Sequence, residues 1–578
     1  MSARPAWIEA GQRPIFSMLH VPAGGLVRGA VVLCPTLGIE AVSAHRALRV
    51  LAERLEDAGL LVCRVDYDGT ANSAGAEHDP GRLEAWIDSV RAAIGFVRAA
   101  GAAAVGVVGL RIGATIATSA VAEEDVDALV LWDPCPRGRS FVREQQALKA
   151  MSIGDTPTPS GAVPDGAVEV LGSVLSAEVV AALGGLDMAT APGRLARRVL
   201  VLTRADRSLP GPFVSRLDAA GAEWAEALGQ AELIDAMPDS ALVPDETVAR
   251  IVEWTGKVLD GPTRELSLSV RDRAVLAAED GSPIEERALR LGPLGLFGVR
   301  TAPTTQTRAP TVVFLNAGLI PHVGPGRLWV TLARRLAAAG IPSLRVDLSG
   351  LGESPVRPGQ APQIDYPLEA LDDVAAIVDA VSPGDPSGVV LAGLCAGAYH
   401  SIEAGIALGV RAVYAINPIL NFDPPEVRDG GELAPARNAV RPHNRWIKLL
   451  LGHRGLVDFG DRHVPPVVWA ALQRLHLHCS PARGLEQLAE RGVWTMLVCG
   501  DMEARQFDRR ARGATRRLEA EGTLRLERLT GGDHSLFGAA ARAAAADLVA
   551  GSVVSRYAPA TPAPRPSRGP APAAASVV

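Results

Sequence analysis

The pentapeptide Gly393-Leu394-Cys395-Ala396-Gly397 puts a thiol at the centre of a turn with a glycine two positions away on each side. The apolar run GVVLAGL before it reads as a strand, and AYHSIEAGIAL after it reads as a helix. A strand that passes directly into a helix forces strained backbone angles on the central residue, and only very small residues at the flanking positions let the two elements approach. A thiol presented there is a candidate nucleophile, and it needs a base to take its proton. His534, in RLERLTGGDHSLFG, falls in a loop between an expected strand over 524–529 and the last helix. An acid to orient the imidazole should follow the strand TMLVCG, where Glu503 stands three positions after Gly500, with Asp501 and Asp508 as alternatives. Two backbone N–H groups would complete the site. One is that of Ala396, and the other comes from Gly318 or Leu319 in the turn Asn316-Ala317-Gly318-Leu319. The chemistry is attack of a thiolate on an acyl carbon, followed by release of the acyl group to water or to an acceptor.

The elements that must position these groups come in two copies. Short Val-, Leu- and Ala-rich runs alternate with amphipathic stretches along the chain, which is the pattern of an α/β fold around a parallel sheet. AVVLC (from Ala30), RALRVLAERLEDAG and LLVCRVDYDGTANS recur as TVVFL (from Thr311), RLWVTLARRLAAAG and IPSLRVDLSGLGES. Both series end in Asp-x-x-Gly-x-x-x-Ser, at Asp66 to Ser73 and Asp347 to Ser354, and these aspartates are expected to cap their turns. The reading is a duplication with a first domain over 1–260, a boundary at DGPTR (Asp260 to Arg264) and a second domain over 264–556. An insertion over about 418–480 occupies the place of a lid, and the Ala/Pro-rich segment 557–578 lacks the apolar pattern needed to fold.

The first copy keeps the plan and loses the reactive groups. Its turn reads Gly109-Leu110-Arg111-Ile112-Gly113, and a guanidinium stays protonated and cannot attack. Ser240 stands opposite His534 while Asp206 retains an acid, so an Arg111–Asp206 ion pair is expected in place of a reactive set. This half reads as a catalytically dead copy.

A chain of 578 residues with a formal charge of −6 and no basic run interleaved with aromatics is too large for a single binding module, and it carries no track for nucleic acid. Six cysteines without a CxxC pair argue against a disulfide framework or a zinc cluster, so neither metal nor cofactor is expected. No apolar segment is long enough to span a bilayer and no leader precedes the first strand, so the expectation is a cytoplasmic protein without a membrane partner. Cys34, Cys63 and Cys499 fall on expected buried strands as inert thiols. His400 reads as a packed helix residue, and His322 as either a structural residue or part of the site wall.

Both halves resemble the α/β-hydrolase superfamily, in which nucleophile, acid and histidine follow in that chain order. The stretch from Cys34 to Gly75 is similar to the exosortase-A-system-associated hydrolases, as is the Gly393-Leu394-Cys395 turn, and the cysteine itself is similar to that of dienelactone hydrolases. The resemblance implies two tandem α/β-hydrolase-like domains, each a mostly parallel sheet flanked by helices with a lid insertion. It also implies a small-molecule acyl ester or thioester substrate. Three functions compete: a thiol-dependent esterase or thioesterase, an acyltransferase using the same acyl-cysteine intermediate, and a non-catalytic scaffold or ligand-binding protein. Oligomeric state is not legible.

Overall fold

The apolar runs form two large sheets in the computed structural model, which describes residues 3–11, 13–153, 163–419 and 482–559. The first has eight strands in the order Arg4–Ala10, Arg13–His20, Leu60–Val65, Gly29–Cys34, Val105–Leu110, Ala128–Trp132, Arg198–Thr203, Glu223–Glu226. The first three of these are antiparallel neighbours, and the remainder pair in parallel. The second has nine strands: Arg273–Ala277, Pro283–Leu291, Leu296–Pro303, Ser343–Val346, Thr311–Phe314, Val389–Leu394, Ala412–Ile416, Trp494–Gly500, Leu524–Leu529. Apart from the extra edge strand Arg273–Ala277, it repeats the topology of the first. The two halves therefore share one α/β plan, each sheet covered by helices and packed on both faces. Burial on both faces is why their parallel strands read as continuous apolar runs.

The changeover between the halves is not abrupt. Arg264–Glu265 still pairs antiparallel with Leu26–Val27 of the first half, and the second sheet begins at Arg273. The last helix spans Ala539–Tyr557. Residues 420–480 of the expected lid, with Cys479, and residues 560–578 of the tail lie outside the described residues.

The halves meet through equivalent surfaces. Within each copy the Asp turn is built identically. Ser73 Oγ donates to the Asp66 carbonyl and accepts from the Phe16 N–H, and Ser354 Oγ does the same with Asp347 and Phe297. The expected caps are present, since Asp66 accepts from the Asn72 N–H and Asp347 from the Glu353 N–H. Across the interface, Arg64 reaches Glu353 (2.6 Å) and Arg345 reaches Asn72 (2.9 Å), two contacts related by exchanging the copies. Arg327 and Arg334 bind backbone carbonyls of the first turn, between Gly69 and Gly75, while Arg49 binds those of Gly352 and Ser354 in the second. Trp7, Phe16 and Met18 pack with Leu276, Ile284 and Phe297 between the sheets. Reciprocal contacts of this kind are those of an isologous dimer interface, held here within one chain.

Candidate active site

Cys395 sits between the strand Val389–Leu394 and the helix Ala396–Leu408, at φ 54° and ψ −116°. A positive φ at a non-glycine residue is strained, and the turn is kept by what surrounds it. The Cys395 N–H donates to the Ile416 carbonyl of the adjacent strand. A Cβ on Gly393 would lie 2.1 Å from the Gly397 carbonyl carbon, and one on Gly397 would lie 2.4 Å from the Asn316 oxygen, so both flanking positions admit only glycine.

His534 is brought to this turn by the loop after the strand Leu524–Leu529. Its Nδ1 lies 2.7 Å from Glu503 Oε1, and the Glu503 side chain is almost fully buried. Burial by itself would disfavour the imidazolium. The neighbouring Cys395 sulfur and the Glu503 carboxylate outweigh it and raise the imidazole from its usual 6.5 to about 10. Nε2 is buried and forms no hydrogen bond of ordinary geometry. The alternatives to Glu503 are engaged elsewhere: Asp508 forms a bidentate pair with Arg528 at 2.7 Å, and Asp501 is exposed and accepts from the Gly531 N–H.

Two residues of the site carry no signal that a motif reading could detect. Asn417, at φ 44°, donates through Nδ2 to the carbonyls of Asp533 and His534 and accepts from the Gly500 N–H, so one side chain fixes both the histidine loop and the start of the Glu503 helix. Tyr366 places its hydroxyl 3.9 Å from Cys395 Sγ and packs edge-on against Tyr399. Asn417 could have been found by aligning the copies, since Asp133 occupies the same place after the strand Ala128–Trp132, with φ 45°. Ala396 opens the helix after the thiol. Gly318, at φ 56°, and Leu319 lie in a turn closed by a bridge between Ala317 and Ile320.

The other candidates have structural partners. Both nitrogens of His322 are taken, Nδ1 by Asp347 (2.7 Å) and Nε2 by Asn72 (3.1 Å), which places it in the interface between halves. His400 is buried against the Asp365 carbonyl, as a packed helix residue. Cys34, Cys63, Cys135 and Cys499 are buried, and burial pushes each thiol up, Cys63 to about 12.

At the first-half elbow the expected Arg111–Asp206 pair is absent. Arg111 has Glu144, Asp133 (3.4 Å) and Glu40 (3.5 Å) around its guanidinium. Asp206 is exposed and paired with Arg204 at 2.7 Å. The reason is burial: Arg111 is 1% exposed and draws on acids that share its pocket, whereas Asp206 points to solvent beside a nearer cation. Ser240 is exposed, and among the described residues it bonds to Met237 and Asp239 of its own turn.

The sequence model of the Alpha/beta hydrolase family matches residues 312–547, the segment that carries the Cys395, Glu503 and His534 positions. This segment is an α/β-hydrolase domain. Similar solved structures include Est1E from Butyrivibrio proteoclasticus, at 13% identity and a TM-score of 0.33 over 45% of this chain and 100% of that one. The esterase Est22 gives 16% identity and a TM-score of 0.28 over 49% and 80%. A predicted CIB-like hydrolase from Thermoplasma acidophilum gives 14% and 0.28 over 44% and 99%. No curated protein matches the sequence. No helix among the described residues of the hydrolase domain or its partner half is long and apolar enough to cross a membrane.

Proposed function

We propose that the α/β-hydrolase domain cleaves small-molecule carboxylic esters or thioesters through Cys395, His534 and Glu503, and that the first half is catalytically dead. The observation that carries this is the 2.7 Å contact of His534 Nδ1 with buried Glu503, on an imidazole that interacts with a thiol held on a strained elbow. With the ring held charged, the Cys395 proton resides on Nε2, the thiolate sulfur bonds to the acyl carbon, and the carbonyl oxygen becomes an oxyanion. The Ala396 N–H and one from Gly318 or Leu319 are the donors for that oxyanion. Collapse breaks the bond to the leaving oxygen or sulfur, which takes the proton from the imidazolium. Water then gives a proton to Nε2 and adds to the acyl-cysteine, and the carbon–sulfur bond breaks to restore the thiol. Glu503 holds the ring in the tautomer this requires.

The test is a panel of p-nitrophenyl esters and acyl thioesters assayed with wild type and Cys395→Ala, with and without added alcohol or amine acceptors. Turnover in wild type that disappears in Cys395→Ala and is independent of acceptor is the expected result. Full turnover in Cys395→Ala overturns the mechanism, and turnover that requires an acceptor replaces hydrolysis by acyl transfer.

A further inference from the structure

A cavity of about 240 Å³ lies at the end of the first sheet, walled by apolar side chains of the first half such as Leu37, Phe141 and Val174 and by Ile320 and Phe537 of the second. Its lining includes neither Cys395 nor His534. Two polar side chains in its wall are incompletely bonded, Arg82 through Nε and Nη2 and Gln145 through its amide oxygen. Gln145 is 2% exposed; its Nε2 donates to Glu40 Oε1 (2.7 Å), while its Oε1 is buried and has no hydrogen-bond partner. An unfilled buried acceptor is costly, and a ligand hydroxyl would satisfy it. Arg64 is engaged by Glu353 and Arg327 by backbone carbonyls, while the charge of Arg82 is matched by Asp68 (2.5 Å) and Asp79 (3.9 Å) although its Nε and Nη2 form no hydrogen bond. With Glu40 behind the amide, the site favours a neutral donor over a carboxylate.

The cavity wall also touches the histidine loop. Phe537 follows His534 by three residues, and its carbonyl accepts from the Gly172 N–H (3.1 Å). The Ala539 N–H donates to Glu169 (2.7 Å), which Lys149 also pairs. The first-half strands Val168–Val170 and Ser173–Leu175 and the turn between them thus form part of the cavity wall and hold the loop that carries His534.

We propose that this cavity binds a medium-chain aliphatic alcohol, with its hydroxyl donating to Gln145 Oε1 and its chain among Leu37, Phe141 and Val174, and that occupancy alters the setting of His534. The binding claim stands on the cavity alone; the coupling claim rests on the catalytic reading above, in which the released alcohol would be of the same chemical class.

The experiment uses the full-length Cys395→Ala protein, so that binding is measured without turnover. Calorimetric titration with n-octanol should give one site per chain, with octanoate and methyl heptyl ether at least about tenfold weaker. Gln145→Leu should bring octanol down to the level of the ether, by about tenfold. Val174→Phe, which fills the cavity, should abolish binding of all three. No octanol binding, tighter octanoate binding, or binding unchanged in both variants overturns the site. For the coupling, the rate of Cys395 alkylation by iodoacetamide in otherwise wild-type protein should change at least about twofold with octanol, and this change should be lost in Val174→Phe. An unchanged rate, or the same change in Val174→Phe, overturns the coupling and leaves the titration as a separate result. Absence of esterase activity alongside intact octanol binding counts against the catalytic reading and not against the site.

Discussion

The two elbows have the same backbone and opposite contents. Arg111 stands at φ 55° and ψ −123°, Cys395 at φ 54° and ψ −116°, and each N–H donates to the carbonyl at the end of the neighbouring strand, Trp132 or Ile416. The same strained turn carries an arginine in the first half and a cysteine in the second. A strained turn is therefore a property of this fold, and the side chains around it decide whether it can react. Around Cys395 stand an imidazole with a buried carboxylate behind it and a tyrosine hydroxyl; around Arg111 stand three carboxylates that hold a permanent cation. On the function proposed above, the thiol site carries a mobile proton, whereas the guanidinium site carries a fixed charge.

The comparison can be broken most severely at the orienting acid. Glu503→Gln should reduce kcat by about a hundred- to ten-thousand-fold, the range for a general acid–base contribution, with little change in fold. Asp206→Asn, the nominal equivalent in the first half, should leave kcat unchanged. A small effect at Glu503 together with a large one at Asp508→Asn would reassign the acid.

Stability should respond in the other half. Arg111→Met leaves Glu40 and Asp133 buried without their cation, and loss of one partner from a buried ion pair typically costs about 3–5 kcal/mol. Because burial raises both carboxyls, with Arg111 acting to lower them, the variant should regain part of that loss at acidic pH as they take up protons. Urea titrations at neutral and acidic pH read this directly, and a neutral-pH midpoint equal to wild type would remove the fixed-charge description.

A smaller effect belongs to His534. Its folded value lies above its unfolded one, so the charged imidazole contributes stability that is complete below pH 6.5 and is lost as pH rises towards about 10. His534→Gln should flatten the urea midpoint over that window. A wild-type midpoint that rises with pH there would contradict the sign. The smallest expected effect is a null one: Arg111→Ser in a Cys395→Ala background should give no hydrolysis, because Ser240 is exposed and no imidazole among the described residues is bonded at that elbow. Activity in that variant would mean that the first half has a base outside the residues identified here.

Much of this was legible in the sequence because it rests on spacing. The glycine pairs, the strand–helix junctions and the repeated Asp-x-x-Gly-x-x-x-Ser turns are local patterns, and a duplicated chain shows each of them twice. The ambiguity among Glu503, Asp501 and Asp508 was not resolvable from spacing, since all three follow one strand and only the helix phase places Glu503 on the buried side. The Arg111–Asp206 expectation failed for a related reason. Copy-to-copy alignment transfers positions, but Glu144 lies on the helix Gly138–Ile153, outside the segments whose repetition is visible in the sequence. Tyr366, Gln145 and the reciprocal Arg64–Glu353 and Arg345–Asn72 contacts depend on segments that are distant in sequence and meet only in the folded chain.

The central claim is that one elbow forms a covalent acyl intermediate and the other does not. Acid quenching within the first turnover of a p-nitrophenyl ester, followed by peptide mass mapping, tests it. The account predicts one acyl group per chain, on the peptide carrying Cys395, and none in Cys395→Ala. An acyl group on any other residue, or sustained turnover with Cys395 unmodified at every time point, would contradict it.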